Sequence, residues 1–282
     1  MIEIRNLKFS YSTLKSRTEV FDSLSMMIPT GEIVGLLGRN GTGKSTLLNL
    51  MAGLLDADAG TIAVEGVDVA QRGTALYTSL MIVPEEFSLP QLTLDRFVKV
   101  TAPFYPNYDE ARFADCCSRF EVNRAVRLDR MSMGQRKKAY LAFALACNTP
   151  VLLLDEPTNG LDIPARQALR QMLAEQVNDE RTIVISTHAA RDIENLVDRL
   201  VILEPHRMVL NESIATLSTL FGVGVVPAGV KPLYSEPSVA GVRGVWVAEG
   251  DEESRMDMEM MFNAATRSPR EVAAVIANQS KF

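Results

Sequence analysis

Between Gly38 and Ser45 the chain reads Gly-Arg-Asn-Gly-Thr-Gly-Lys-Ser, which fits the pattern GxxxxGK[ST]. The apolar run Ile33-Val-Gly-Leu-Leu37 precedes it, and Thr46-Leu-Leu-Asn-Leu-Met51 follows. That order predicts a buried strand, a tight turn and a helix, and few folds place such a turn at the end of a strand. Gly38, Gly41 and Gly43 allow the tight path, while the backbone N–H groups of Arg39, Asn40 and Thr42 point inward around a phosphate chain. The helix that begins near Lys44 adds the positive end of its dipole. Lys44 would reach the β and γ phosphates, Ser45 would sit on Mg²⁺, and Thr46 continues the cradle. The plainer alternative is a glycine-rich turn with no ligand. It leaves the lysine, the serine and both flanking elements unexplained, so the motif implies that the chain binds a nucleotide.

The 282 residues allow one large domain, or one domain with an appendage. A net charge of −6 with 47% apolar residues describes a globular chain without the basic footprint of a nucleic-acid binder. Cys116, Cys117 and Cys147 lack metal-ligand spacing, and the adjacent pair is poorly placed to form a disulfide, which suits a reducing compartment. The longest apolar stretches, such as 140–147, fall short of the roughly 20 residues that a spanning helix needs. Any membrane association is therefore expected to come through a partner.

Alternation over 2–11 and 20–28 predicts antiparallel strands at the start, with a further β-rich piece at 61–69 turning at Glu65-Gly66. From Leu92 to about Asp129 the pattern is helical, including a segment after the cap-like Asp109. A helix over 134–146, a strand over 151–154, a helix from about Pro164 and a strand over 182–186 then indicate a largely parallel sheet. Beyond Glu212 the pattern is less legible. Val242 to Ala248 alternates like a strand, 249–253 forms an acidic turn, and Ser268-Pro-Arg-Glu271 reads as a capping box opening a terminal helix.

The strand Val151-Leu-Leu-Leu154 runs into Asp155 and Glu156. Asp155 would emerge at the carboxyl end of its strand, where open α/β sheets bind ligands, and would hold Mg²⁺ through water. Glu156 is placed to polarise the water that attacks the γ-phosphate. A buried strand ending in two solvated acids is the plainer alternative.

With these residues in place, the sequence resembles an ATP-binding subunit of an ABC transporter over about residues 1–210. Met131-Ser-Met-Gly-Gln135 matches the family's Leu-Ser-Gly-Gly-Gln segment, with Met133 in place of the usual glycine. The resemblance implies that Ser132, Gly134 and Gln135 contact the γ-phosphate of ATP bound to a second copy, and a helix start carrying a hydroxyl suits that role. Pro157-Thr-Asn-Gly-Leu-Asp162 matches the loop that links the two sites of a dimer, and His188, after Ser186-Thr187, matches the γ-phosphate-sensing histidine. Tyr11 fits the family's adenine-stacking aromatic, or else is an ordinary half-buried strand tyrosine. His206, after Pro205, reads as a surface residue.

One position departs from the family. Ile82-Val-Pro-Glu85-Glu86 carries glutamate where a glutamine usually contacts Mg²⁺. Two charges ~4 Å apart interact by about 4 kcal/mol at an effective dielectric of about 20, so a carboxylate beside phosphate oxygens is tolerable only with the metal between them. Glu85 is therefore expected to ligate Mg²⁺ or its water.

The resemblance implies an α/β P-loop NTPase of ABC type. It would have an N-terminal antiparallel β subdomain, a parallel-sheet core, a helical insert at about 92–130 and a C-terminal accessory region at 212–282 after an ATP-binding domain at 1–211. It also implies ATP hydrolysis by Glu156 and His188, with ATP and Mg²⁺ held at a dimer of two ATP-binding subunits, on the cytoplasmic face of a membrane through an integral permease. Phe104-Tyr-Pro-Asn-Tyr-Asp109 resembles subunits of exporter-type systems. The competing classes are a soluble ABC-type ATPase working on a macromolecule and a small P-loop kinase, the latter leaving 131–135 and 186–188 unexplained. The methionine-rich stretch Met256, Met258, Met260, Met261 and Phe262 reads either as a soft partner surface or as a local core.

Overall fold

The computed structural model describes residues 1–13, 16–239, 241–248 and 254–279; the acidic turn expected at 249–253 lies outside them. The chain begins with the long strands β1 (Ile2–Ser12) and β2 (Arg17–Ile28), whose alternating apolar side chains face inward. β3 (Ile33–Leu37) follows, buried at every position, and leads through the phosphate loop into α1 (Lys44–Met51). β4 (Ala59–Val64) and β5 (Val67–Asp68) complete an antiparallel sheet of order β2-β1-β4-β5, turning at Glu65 and Gly66, both in the left-handed region.

The short helix α2 (Thr74–Ser79) leads into β6 (Leu80–Val83). The helical insert contributes α3 (Leu94–Thr101) and α4 (Glu110–Arg119), the latter capped by Asp109, whose carboxylate accepts the Arg112 N–H. Then come α5 (Met133–Ala146), β7 (Val151–Asp155), α6 (Ile163–Ala174) with Pro164 in its first turn, and β8 (Thr182–Thr187). β9 (Arg199–Glu204) and β10 (Arg207–Ser213) close a sheet of order β10-β9-β3-β8-β7-β6, parallel except for the β9–β10 pair.

Its central strands alternate between two apolar clusters. Leu37, Leu152, Leu154, Ile185 and Ile202 face one, while Val34, Leu36, Leu153, Val184 and Val201 face the other. The second cluster is closed by α1 and the antiparallel sheet, the first by the helical insert and the C-terminal segment. Both faces are thus covered, as a parallel sheet requires.

The C-terminal segment is more regular than its Gly- and Pro-rich sequence suggests. α7 (Ile214–Leu220) precedes β11 (Phe221–Val225), β12 (Tyr234–Ser238) and β13 (Gly241–Val247), which form a sheet of order β11-β13-β12. α8 (Met258–Arg267) and α9 (Pro269–Gln279) follow, and the Ser268 hydroxyl between them donates to the Leu233 carbonyl. Position 212 itself lies inside β10. Met256, Met258, Met260 and Met261 are buried in the same apolar cluster as Ile202 and Leu210, which settles the methionine stretch as core.

Candidate nucleotide site

Strand register brings the site together. Leu37 pairs with Thr187 on β8, and Ser186 is opposite Asp155 on β7. The phosphate loop, Asp155-Glu156 and His188 therefore leave the carboxyl edge of the sheet side by side, and Glu85 leaves β6 at the same edge, since Val83 pairs with Leu154. β3 lies between β8 and β9, the strand-order crossing where open α/β sheets form ligand crevices.

Gly41 and Gly43 have φ of +83° and +98°, which a side chain would resist. A Cβ on Gly43 would also press on Val20 and Phe21, so the second strand shapes the loop from behind. The Thr42 hydroxyl donates to the Arg39 carbonyl at 2.9 Å and ties the loop across its base. Lys44 is 7% exposed, and its Nζ donates to the Gly38 carbonyl at 2.8 Å, so its charge fills the middle of the loop. Arg39 and Asn40 are exposed, and Ser45 is half-buried at the helix start. Tyr11, 45% exposed, packs edge-on against Phe9, and its hydroxyl is 3.1 Å from Thr46 Oγ1. The ring is thereby held beside the first turn of α1 while the residue stays exposed.

Glu156 is the most constrained group here. Its φ is +43°, and non-glycine residues reach that region at a cost on the order of 1–3 kcal/mol. Its N–H donates to the Ser186 carbonyl at 3.1 Å and lies 3.2 Å from the Ser186 hydroxyl, and its carbonyl accepts from Lys137 Nζ at 2.8 Å. Its Oε1 is 2.9 Å from His188 Nδ1 and 3.6 Å from Lys44 Nζ, while Oε2 is buried without a partner. A buried carboxylate oxygen with unused acceptor capacity beside this loop fits a polar ligand or water at that point. The Ser186 hydroxyl also donates to Asp155, which is 4% exposed.

The metal assignment has a donor set of one hydroxyl, Ser45, and the carboxylates of Asp155 and Glu85. Hard oxygen donors suit Mg²⁺, which is commonly held by one or two carboxylates plus substrate phosphates rather than by a full protein cage. The described residues contain no cluster of three or more acidic, histidine or cysteine side chains that could hold a metal ion. Glu85 is exposed, and its Oε1 accepts from Asn159 Nδ2 at 2.9 Å.

The Ser132 segment lies elsewhere. Ser132 caps α5 with its hydroxyl accepting the Gln135 N–H, and the Gln135 side chain accepts the Ser132 N–H in return. Both side chains are thus engaged with their own helix start. Met133, 68% exposed, lines a cavity of about 670 Å³ with Glu85, Lys137 and Asn159. A different cavity, of about 570 Å³, joins Gly38 and Arg39 to His188 and to Glu259, Phe262 and Asn263 of α8.

Two contributors escaped the sequence reading. Lys137 is 3% exposed, and desolvation pulls its pKa down against the opposing charges of Glu85, Asp155 and Glu156. Its signal was a lysine one turn before Leu141 in a helix that continues as the apolar run 140–146. The wall formed by α8 had no local signal, because it depends on a segment seventy and more residues downstream of His188 folding back.

The sequence profile of the ABC transporter family matches residues 21–159. The ABC transporter ATP-binding protein YtrB of Bacillus subtilis is 31% identical over 209 residues, 74% of this chain and 70% of that protein. The Nod factor export ATP-binding protein I of Burkholderia orbicola is 33% identical over 214 residues, 74% of this chain and 69% of that protein. Among solved structures, a dimeric ATP-binding cassette in a post-hydrolysis state with ADP and phosphate superposes with a TM-score of 0.68 at 23% identity. The superposition covers 76% of this chain and 98% of that one, and the likeness is one of fold.

Proposed function

This chain belongs to the ABC transporter family as an ATP-binding subunit and ATPase, and on that premise we propose that it dimerises around ATP and drives a separate membrane permease. The observation that carries this reading is a split one. The phosphate loop, Glu156 and His188 form one half of a site, whereas Ser132 and Gln135 cap each other at the start of α5, where Met133 borders a separate cavity. A second copy would bring its Ser132 and Gly134 to the nucleotide bound by the first, so that ATP acts as the ligand shifting a two-state equilibrium.

In that complex Lys44 and the loop N–H groups hold the phosphates, and Tyr11 offers its ring to the adenine. Ser45, Asp155 and Glu85 would hold Mg²⁺, which supplies neutralisation of phosphate charge. Glu156 accepts a hydrogen bond from the attacking water, and His188, adjoining Glu156, contacts the γ-phosphate.

The described residues contain no helix long and apolar enough to cross a membrane, and this reading assigns the membrane path to an integral partner. The helical insert offers a surface for it. Phe104 is 70% exposed beside a cleft of about 520 Å³ lined by Lys99, Tyr105, Tyr108 and Arg124. This would place the protein on the cytoplasmic face of the membrane. Export is the direction favoured by the 104–109 segment and by the relative named for Nod factor export.

The test is to measure ATP hydrolysis by the native chain and to identify what co-purifies from mild-detergent extracts. ATPase activity with a multispanning membrane protein supports the reading. Sedimentation with ribosomes, or activity with no membrane partner in any extract, contradicts it.

A further inference from the structure

Lys137 sits on α5 five residues after Ser132, and the residue is 3% exposed. Ammonium groups are rarely buried so fully without a specific task for the charge. Lys137 Nζ donates to the main-chain carbonyl of Glu156 at 2.8 Å, the residue whose backbone lies in the left-handed region. The Glu156 N–H is already tied to β8 through Ser186. With its amide held by one element and its carbonyl by another, the Glu156 backbone is pinned on both sides, as a strained conformation requires.

We propose that Lys137 is a positioning residue for Glu156, fixing the peptide that aims the carboxylate between Lys44 and His188. The proposal rests on the reading of Glu156 as the group that orients the attacking water. An ammonium serves this purpose better than an amide, because the charge-assisted bond to a carbonyl is stronger. Burial works against the charged form, and the charges of Glu85, Asp155 and Glu156 offset that only in part. The bond also joins two halves of the machinery within one chain. Gly134 packs so closely on the main chain of the following loop that a Cβ there would meet the Gly160 carbonyl at 2.9 Å. The helix that offers Ser132 to a second copy is therefore braced against the chain's own Glu156 segment at two points. Its placement against a neighbouring nucleotide bears directly on the carboxylate's aim.

The experiment compares wild type, Lys137→Met and Lys137→Arg. Steady-state hydrolysis gives kcat and KM, titration with a fluorescent ATP analogue gives affinity, and thermal unfolding gives stability. Lys137→Met is expected to lower kcat about tenfold or more while affinity stays within about twofold, as loss of a charge-assisted bond that acts on the reactive geometry predicts. Lys137→Arg, which keeps a buried donor with a charge, should recover part of the lost kcat. The proposal is overturned if Lys137→Met keeps the wild-type kcat, if affinity falls in step with kcat, or if arginine restores nothing. If the wild type itself hydrolyses no ATP, or Glu156→Gln hydrolyses it normally, the reading of Glu156 fails instead. The two failures are thus distinguishable.

Discussion

His188 Nδ1 lies 2.9 Å from Glu156 Oε1, joining a half-exposed imidazole at the end of β8 to a carboxylate that is almost wholly buried at the end of β7. Glu156→Gln should leave this contact sterically intact while removing the negative charge and the base that draws a proton from the attacking water. Hydrolysis should then fall by about 10²-fold or more, within the range lost when a general base is removed. ATP should still bind, and the variant should accumulate as a dimer in light scattering with ATP. A variant that stays monomeric under saturating ATP would remove dimerisation from the account.

Lys44→Ala should weaken nucleotide binding. The ammonium now occupied by the Gly38 carbonyl is the loop's main buried cation. Losing a charged partner costs about 1.5–3 kcal/mol, or roughly 10- to 150-fold in affinity, readable by calorimetric titration.

Glu85→Gln separates charge from shape. A glutamine oxygen can still accept from Asn159, so the loop anchoring should survive. If Glu85 helps to hold Mg²⁺, the magnesium concentration for half-maximal hydrolysis should rise several-fold, because a neutral oxygen donor binds the ion less tightly. An unchanged magnesium profile would sink the assignment.

Alkali should weaken the helical insert. Burial raises the thiol of Cys116 from 9.0 to about 11 and that of Cys117 to about 12. The folded state keeps both protonated while the unfolded state ionises, so their contribution is complete below pH 9.0 and is lost as pH climbs through the folded values. Urea unfolding midpoints should fall over that interval, and the double variant Cys116→Ser, Cys117→Ser should fall less steeply.

The C-terminal sheet carries its own probe, since Trp246 is the chain's single tryptophan. It stacks across Gly222, where a Cβ would collide with the indole. Gly222→Ala should shift the emission maximum and destabilise the segment by about 1–3 kcal/mol, as overpacking does. Unchanged fluorescence would show that the indole has room to move.

How far the sequence could be read followed the range of the interactions. Gly38 to Ser45 was legible because its glycines, lysine and flanking strand and helix are all local. Asp155 and His188 were legible because apolar strands announced the sheet edge that presents them. Lys137 was not, because a lysine in a helix looks solvated until the Glu156 turn closes over it. The strands within 221–238 were hidden for a related reason. Gly222, Gly224 and Pro237 mask the alternation, and both strands owe their pairing to β13, which comes later. Ser132 and Gln135 were found as a motif, but their mutual capping emerged only with the backbone of α5.

The way α8 lies along β9 and β10 restricts how this chain can be shortened or recombined. A product ending at Ser213 would take from the cluster of Ile202 and Leu210 the buried side chains of α8, Met258, Met260 and Ala264 among them. It would also strip one wall from the cavity shared by Gly38 and His188, since Glu259 and Phe262 stand there. Exchanging this tail with that of a relative would therefore retune nucleotide handling as well as stability. For this chain the tail belongs to the engine block and is no detachable fitting.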